Sequence, residues 1–144
     1  MKLAKHAFLV SLVLVGCDMS RPTSTPASLF FPVMLDQPDA VLMTRISGTL
    51  AIDGGCVILR PDRGRPVVVI WPPGYGLRPG PLSLVVVNAA EGLEAAVGAK
   101  VTLGGGVWSD SGDGEVRAEI EALIGAKVPD ECHRERYWLG GLLP

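Results

Sequence analysis

Four side chains in the C-terminal third of the sequence could support acid-base or metal chemistry. They are Asp110, Asp113, Glu115 and His133. Carboxylate oxygens are the ligands that calcium prefers, and an imidazole beside a carboxylate can transfer protons. The acids lack the EF-hand spacing, and one histidine cannot form a zinc site without further ligands. A solvated loop that caps a helix is the favoured interpretation of the acids. A small enzyme or metal-binding protein that uses these four residues is the alternative.

Motifs for two other kinds of chemistry are absent from the sequence. The serine elbow of hydrolases does not occur, and the Gly104–Gly106 run lacks the Lys-Ser or Lys-Thr of a phosphate-binding loop. We interpret this run as a turn or bulge that needs glycine. The formal net charge is −2 and no block of basic residues occurs, which argues against a nucleic-acid partner. We therefore predict no catalytic residue, no metal ion and no cofactor.

Cys17 has the most informative surroundings in the sequence. Lys2 and Lys5 precede an apolar run from Ala7 to Val15, and residues 18–28 behind the cysteine are polar with two prolines. The run has nine residues, whereas a membrane-spanning helix needs about 20. A short positive segment followed by a short apolar segment is typical of a secretory signal. The alternative is a buried N-terminal strand or helix.

The tetrapeptide Leu14-Val15-Gly16-Cys17 resembles the lipobox of bacterial membrane lipoproteins. The resemblance implies cleavage before Cys17, attachment of a diacylglycerol to its thiol, and acylation of its new amino group with a chain such as palmitate. Two or three acyl chains give lasting attachment where one does not. We therefore expect a lipid anchor on the extracytoplasmic face of the cell membrane. Residues 1–16 are then the signal peptide, and residues 40–144 a single β-rich domain. Residues 17–39 form a lipidated, Pro-rich linker, whose apolar Leu29–Leu35 is a lead-in expected to cover one end of the domain.

Cys56 and Cys132 remain as an even pair once Cys17 carries lipid. In an oxidising compartment we expect such a pair to form a disulfide, here closing a loop of about 75 residues. On the chain-entropy account this contributes about 4 kcal/mol to a net stability of about 5–15 kcal/mol. Two buried, reduced thiols are the alternative.

The composition favours strands over long helices. It is 48% hydrophobic and 19% charged, with 18 Gly and 12 Pro, so a core can form and turns are frequent. Apolar runs between turn residues predict strands over 41–52, 56–59, 66–71, 82–87, 99–103 and 137–143. Apolar residues at helical spacing between Val116 and Ile124 predict one short helix that ends at Gly125. Four to six strands with one helix predict a mainly β fold, a small antiparallel barrel that is OB-like or SH3-like. A β-sandwich is the alternative.

Five large aromatic side chains carry polar atoms, and they are Trp71, Tyr75, Trp108, Tyr137 and Trp138. If some of them share an exposed face, they could stack against a glycan or a peptide of an envelope protein. Packing of Trp71 and Trp138 in or over the barrel is the alternative. The sequence thus favours a non-catalytic binding or structural module of the cell envelope. The alternative function is a small envelope enzyme or metal-binding protein.

Overall fold

The computed structural model describes residues 28–37, 39, 44–109 and 115–144 of the chain. Over these residues the chain forms eight strands, one α-helix and one 3₁₀ turn. The strands are β1 (Thr44–Asp53), β2 (Cys56–Pro61), β3 (Val67–Ile70), β4 (Tyr75–Pro79), β5 (Leu84–Asn88), β6 (Leu93–Ala96), β7 (Lys100–Ser109) and β8 (Arg136–Leu142). The helix α1 spans Glu115–Ile124, and the 3₁₀ turn spans Asp130–Cys132.

Five of the strands form a closed barrel in the order β1-β2-β3-β8-β7, and β7 pairs with β1 to close it. Four neighbouring pairs are antiparallel, whereas β3 and β8 are parallel, with Val69 opposite Trp138. Parallel pairing of the third and last barrel strands gives the OB-like strand order. The predicted mainly β fold with a small barrel and one short helix is therefore confirmed, although the barrel is not purely antiparallel.

The remaining strands form a separate antiparallel sheet in the order β4-β5-β6, between β3 and β7 in the chain. Its apolar face packs on the barrel, because Tyr75 and Val86 belong to the same buried cluster as Leu50 and Leu103. The predicted range of four to six strands is therefore too low. The additional strands β4 and β6 are short edges of this sheet, and the sequence pattern alone did not indicate them.

Two apolar clusters lie on opposite faces of β2, β3 and β8. The inner cluster has members from all five barrel strands, and its members from β3 are Val67 and Val69. The outer cluster takes Val68 and Ile70 from the same strand and packs them against the buried face of α1. Strands that are buried on both faces read as continuous apolar runs, which explains the unbroken run at residues 67–71.

The lead-in before β1 packs against the barrel. Phe30 forms a parallel bridge with Cys56, and Val33 forms one with Trp71. The Met34 backbone N–H donates to the Trp71 carbonyl at 2.8 Å, and the Leu35 N–H donates to the Leu123 carbonyl of α1 at 2.9 Å. The folded body therefore includes residues that precede position 40. Among the described residues, no helix has the length and apolar character needed to cross a membrane.

Candidate ligand-binding site

A cavity of about 490 Å³ lies where β7 and β8 meet the start of β4 and the end of β5. The lead-in contributes Met34 and Gln37 to its wall, and the Pro72-Pro73 turn after β3 contributes another side. This volume falls in the range of pockets that hold small organic ligands. The barrel, the inserted sheet and the lead-in therefore share one concave site.

Glycines form the part of the cavity where β7 crosses β8. Gly105 and Gly140 are opposite each other in the antiparallel register and both have positive φ. A Cβ atom on either residue would overlap backbone atoms of the other strand. The absence of side chains thus lets the two strands approach closely and leaves backbone atoms on the cavity surface. The Trp138 indole supports this region from the core side, because its Nε1–H donates to the Gly104 carbonyl at 3.4 Å.

Tyr75 forms a wall of the cavity and is 8% exposed. Its ring packs against the indole of Trp71, with ring centroids 5.2 Å apart. Its hydroxyl lies close to Gly141, where an added Cβ would be 2.5 Å from the hydroxyl oxygen. Burial raises the pKa of the Tyr75 hydroxyl, and the negative charge of Glu91 acts in the same direction. The Leu142 backbone and the Asn88 side chain act in the opposite direction as hydrogen-bond donors to this hydroxyl, which stays protonated at neutral pH and can donate a hydrogen bond.

Asn88 is a buried polar side chain in the cavity wall, with 4% of its surface exposed. It ends β5 and lies opposite Tyr75 in the β4–β5 register. Its Oδ1 has no hydrogen-bond partner among the described residues. An unpaired buried acceptor costs about 1–3 kcal/mol, so a ligand donor that reached it would recover that cost. The Trp71 Nε1 also lacks a partner in this part of the chain, but Trp71 does not line the cavity.

Trp108 gives the cavity an accessible aromatic ring, with 37% of the residue exposed. Its indole Nε1–H donates to Glu119 Oε2 of α1 at 2.7 Å, which restricts the orientation of the ring. Among the described residues that line the cavity, the charged side chains are Arg45 and Glu91, one of each sign. The site therefore combines an aromatic ring of restricted orientation with one described charged side chain of each sign at its rim.

The five aromatic residues considered from the sequence do not share one face. Tyr75 and Trp108 line the cavity, whereas Trp71 and Trp138 are buried in the inner cluster. Tyr137 is buried in the outer cluster, where its hydroxyl lies 3.0 Å from His133 Nδ1. Trp71 contributes indirectly, since it supports the ring of Tyr75.

Of the four residues considered for acid-base or metal chemistry, Glu115 and His133 are described by the structure, and they form no hydrogen bond or ion pair with each other. His133 contacts Tyr137, and Glu115 begins α1 as an exposed residue. Asp110 and Asp113 lie outside the described residues, as does Cys17. Within the described ranges, no group of three or more His, Cys, Asp or Glu side chains could hold a metal ion.

The sulfurs of Cys56 and Cys132 lie 1.95 Å apart, at disulfide distance. This is the pairing expected from the sequence. It connects the start of β2 to the 3₁₀ turn before β8, and both residues belong to the outer cluster. The pair lies beside Phe30, which is hydrogen-bonded to the chain on both sides of Cys56. It therefore helps to hold the place where the lead-in joins the barrel.

A second hollow, of about 420 Å³, lies along the C-terminal half of α1. Small residues form most of its surface, and its charged side chains Glu121 and Lys127 pair with each other at 2.6 Å. It lacks the aromatic ring and the unpaired buried acceptor of the first cavity. The site at Tyr75, Asn88 and Trp108 is therefore the stronger candidate.

Sequence reasoning did not identify Asn88, Gly141 or the rim residues Arg45 and Glu91. One signal for Asn88 was present, because a polar residue directly ends the apolar run 84–87.

Fold and site together define a small OB-like barrel protein with a cavity of ligand size. A comparison of this chain with protein-family models, curated proteins and solved structures finds no match.

Proposed function

We propose that this chain is a lipid-anchored, non-catalytic binding module of the bacterial cell envelope. The resemblance of Leu14-Val15-Gly16-Cys17 to a lipobox supports the anchor and an extracytoplasmic location. The pairing of Cys56 with Cys132 supports an oxidising compartment, because disulfides persist outside the reducing cytosol. Both features are consistent with a location outside the cytoplasm.

The distance between the proposed anchor and the barrel limits where a partner can be. Cys17 carries the lipid in this proposal, and Phe30 is the first of the described residues that forms a bridge with the barrel. A fully extended chain between them reaches at most about 45 Å. The barrel therefore works close to the membrane, and its partner is an envelope component or a ligand that diffuses to this layer.

The observation that carries the binding function is the cavity beside Tyr75, Asn88 and Trp108. It combines a restrained aromatic ring with an unpaired buried acceptor, and neither is needed to complete the barrel core. Among the described lining residues there is no histidine, cysteine or serine. The hydroxyl of the lining residue Thr44 is already engaged, because it donates to the Gly105 carbonyl at 2.6 Å. These features favour recognition of a ligand over its chemical conversion.

Lipid anchoring is tested with the full chain in a bacterium that processes lipoproteins. Wild-type protein is expected in the membrane fraction, with the mass of a chain cut before Cys17 and extended by acyl groups. Cys17→Ser is expected to lose the acyl mass, and globomycin, which inhibits the lipoprotein signal peptidase, should leave the signal peptide attached. Replacement of both Cys56 and Cys132 by alanine is the matched control and should keep the acyl mass. An unmodified wild-type chain in the soluble fraction would contradict the anchor.

A further inference from the structure

We infer that the cavity beside Tyr75, Asn88 and Trp108 binds a neutral saccharide of one or two rings. This inference rests on the proposed binding function and names its ligand class. The volume of about 490 Å³ accommodates a ligand of this size while Trp108 remains accessible at the surface.

The Trp108 ring provides a stacking surface for a sugar. The face of an indole carries partial negative charge, and the C–H groups on one face of a pyranose ring carry partial positive charge. The hydrogen bond from Nε1 to Glu119 at 2.7 Å uses the polar edge of the indole. The ring faces are then the parts of this side chain that a ligand can contact, and they are oriented before the ligand binds.

The polar groups of the cavity match hydroxyl groups. Asn88 Oδ1 needs a donor, the protonated Tyr75 hydroxyl can donate, and backbone atoms are accessible near Gly105. A sugar hydroxyl donates one hydrogen bond and accepts two, so one kind of group can satisfy all of these partners. The ligand can also donate to Glu91 and accept from Arg45 at the rim.

The charge and donor requirements separate a saccharide from other ligands. The described lining has one positive and one negative side chain, both exposed, so it offers no set of like charges to a strongly charged ligand. A proline-rich peptide could stack on Trp108, but its prolines have no N–H to donate to Asn88 Oδ1. A neutral polyhydroxylated ring meets both requirements.

The experiment uses the full, lipidated chain in a detergent whose head group is not a sugar. Maltose, cellobiose and di-N-acetylchitobiose are the probes, and a proline-rich decapeptide is the comparison ligand. Binding is measured by calorimetry and by tryptophan fluorescence. Trp108 is the most exposed of the three tryptophans, so its emission is the most accessible to acrylamide. At least one disaccharide is expected to bind and to protect this emission from acrylamide.

Variants assign the binding to this cavity. Trp108→Ala is expected to weaken the affinity by about tenfold or more, whereas Trp108→Phe keeps a stacking ring and should lose about threefold. Asn88→Leu removes the acceptor and should weaken binding by about fivefold or more. Leu82→Ala is the matched control, because Leu82 is fully exposed at the other end of the β4–β5 hairpin. Since Asn88 is buried, its variant is first checked by thermal melting, and the Trp108 variants remain decisive if it fails to fold.

Three results would overturn the inference. The first is no binding of any of the disaccharides at millimolar concentration, and the second is saccharide binding that Trp108→Ala leaves unchanged. The third is binding of the decapeptide alone with loss in Trp108→Ala, which would retain a binding module and reject the saccharide. Failure of the lipid anchor shows in the Cys17→Ser experiment, so the two proposals fail separately.

Discussion

At the scale of single residues, Gly141 sets how closely β8 lies to the Tyr75 ring. An added Cβ would be 2.5 Å from the Tyr75 hydroxyl oxygen and 2.7 Å from the ring carbon that carries it. The Tyr75 ring cannot move away freely, because it is buried against Trp71. The glycine is therefore part of the cavity geometry even though it contributes no side chain.

Gly141→Ala is accordingly expected to lower the free energy of unfolding by about 1–3 kcal/mol, because the methyl group overpacks this contact. Urea denaturation measures the effect. Gly76→Ala in β4 is the matched control, since a Cβ at Gly76 meets no atom within 4 Å, and its midpoint should stay close to the wild type. Equal midpoints for the two variants would show that Tyr75 does not restrict this position.

At the scale of elements, one side chain connects α1 to the loop that follows it. Glu121 accepts hydrogen bonds from the Val128 backbone N–H at 3.0 Å and from Lys127 Nζ at 2.6 Å. Arg117 approaches the same carboxylate at 3.3 Å and also pairs with Asp130 at 2.8 Å. These contacts hold the loop beneath the helix and keep Val128 in the outer cluster.

The pH dependence of stability should report this connection. Hydrogen bonds from Lys127 and from the Val128 N–H lower the pKa of Glu121 below its ordinary value of 4.5. The stabilisation is therefore fully present above pH 4.5 and is lost as the pH falls through the lowered pKa. Glu121→Gln should be less stable than wild type at neutral pH, and the difference should shrink in acid. Urea midpoints across this range measure it.

The matched control for this prediction is Glu94→Gln. Glu94 pairs with Arg78 on the exposed face of the β4–β6 sheet, and such pairs contribute little to stability. If the urea midpoint of Glu121→Gln differed from that of wild type by the same amount at neutral and acidic pH, the role assigned to the carboxylate would be contradicted.

The sequence predicts a strand well when the strand's own residues favour it, and poorly when pairing with a neighbouring strand stabilises it. The strand Val67–Ile70 was predictable, because a strand buried on both faces favours β-branched residues throughout. The segments YGLRP and LEAA have weak strand propensity, and they form β4 and β6 only because β5 pairs with both. The parallel pairing of β3 with β8 has no local signal at all.

The candidate site was predictable only in part, for a related reason. Tyr75 and Trp108 were recognised as aromatic residues with polar atoms, but their residue types do not show that one cavity joins them. Asn88 becomes informative only through its register opposite Tyr75. Gly141 becomes informative only when β8 packs against that ring. Both roles arise from contacts between residues far apart in the chain.

At the scale of the whole molecule, the cysteine pair joins the β1–β2 hairpin to the segment before β8, which the Asp53–Arg134 ion pair at 3.9 Å also connects. The loop between Cys56 and Cys132 has a sequence separation of 76 and contains β2 to β7 together with α1. Of the strands in the described ranges, β1 and β8 lie outside it. The lead-in reaches the barrel beside the same pair, so the disulfide also stabilises the attachment point of the proposed tether.

Replacement of both Cys56 and Cys132 by alanine should therefore destabilise the whole body as one unit. A loop of this length contributes about 4 kcal/mol through the restricted unfolded chain, so the urea midpoint should fall markedly. Wild-type protein unfolded with a thiol reductant should approach the variant's midpoint, whereas the variant should not respond to the reductant. The alanine pair keeps Cys17, so the proposed site of lipid attachment is the same in both proteins. Two results would contradict this role: alkylation of both cysteines in the native wild-type protein, or equal urea midpoints of wild type and variant without reductant. Packing of the outer cluster alone would then account for the stability of this region.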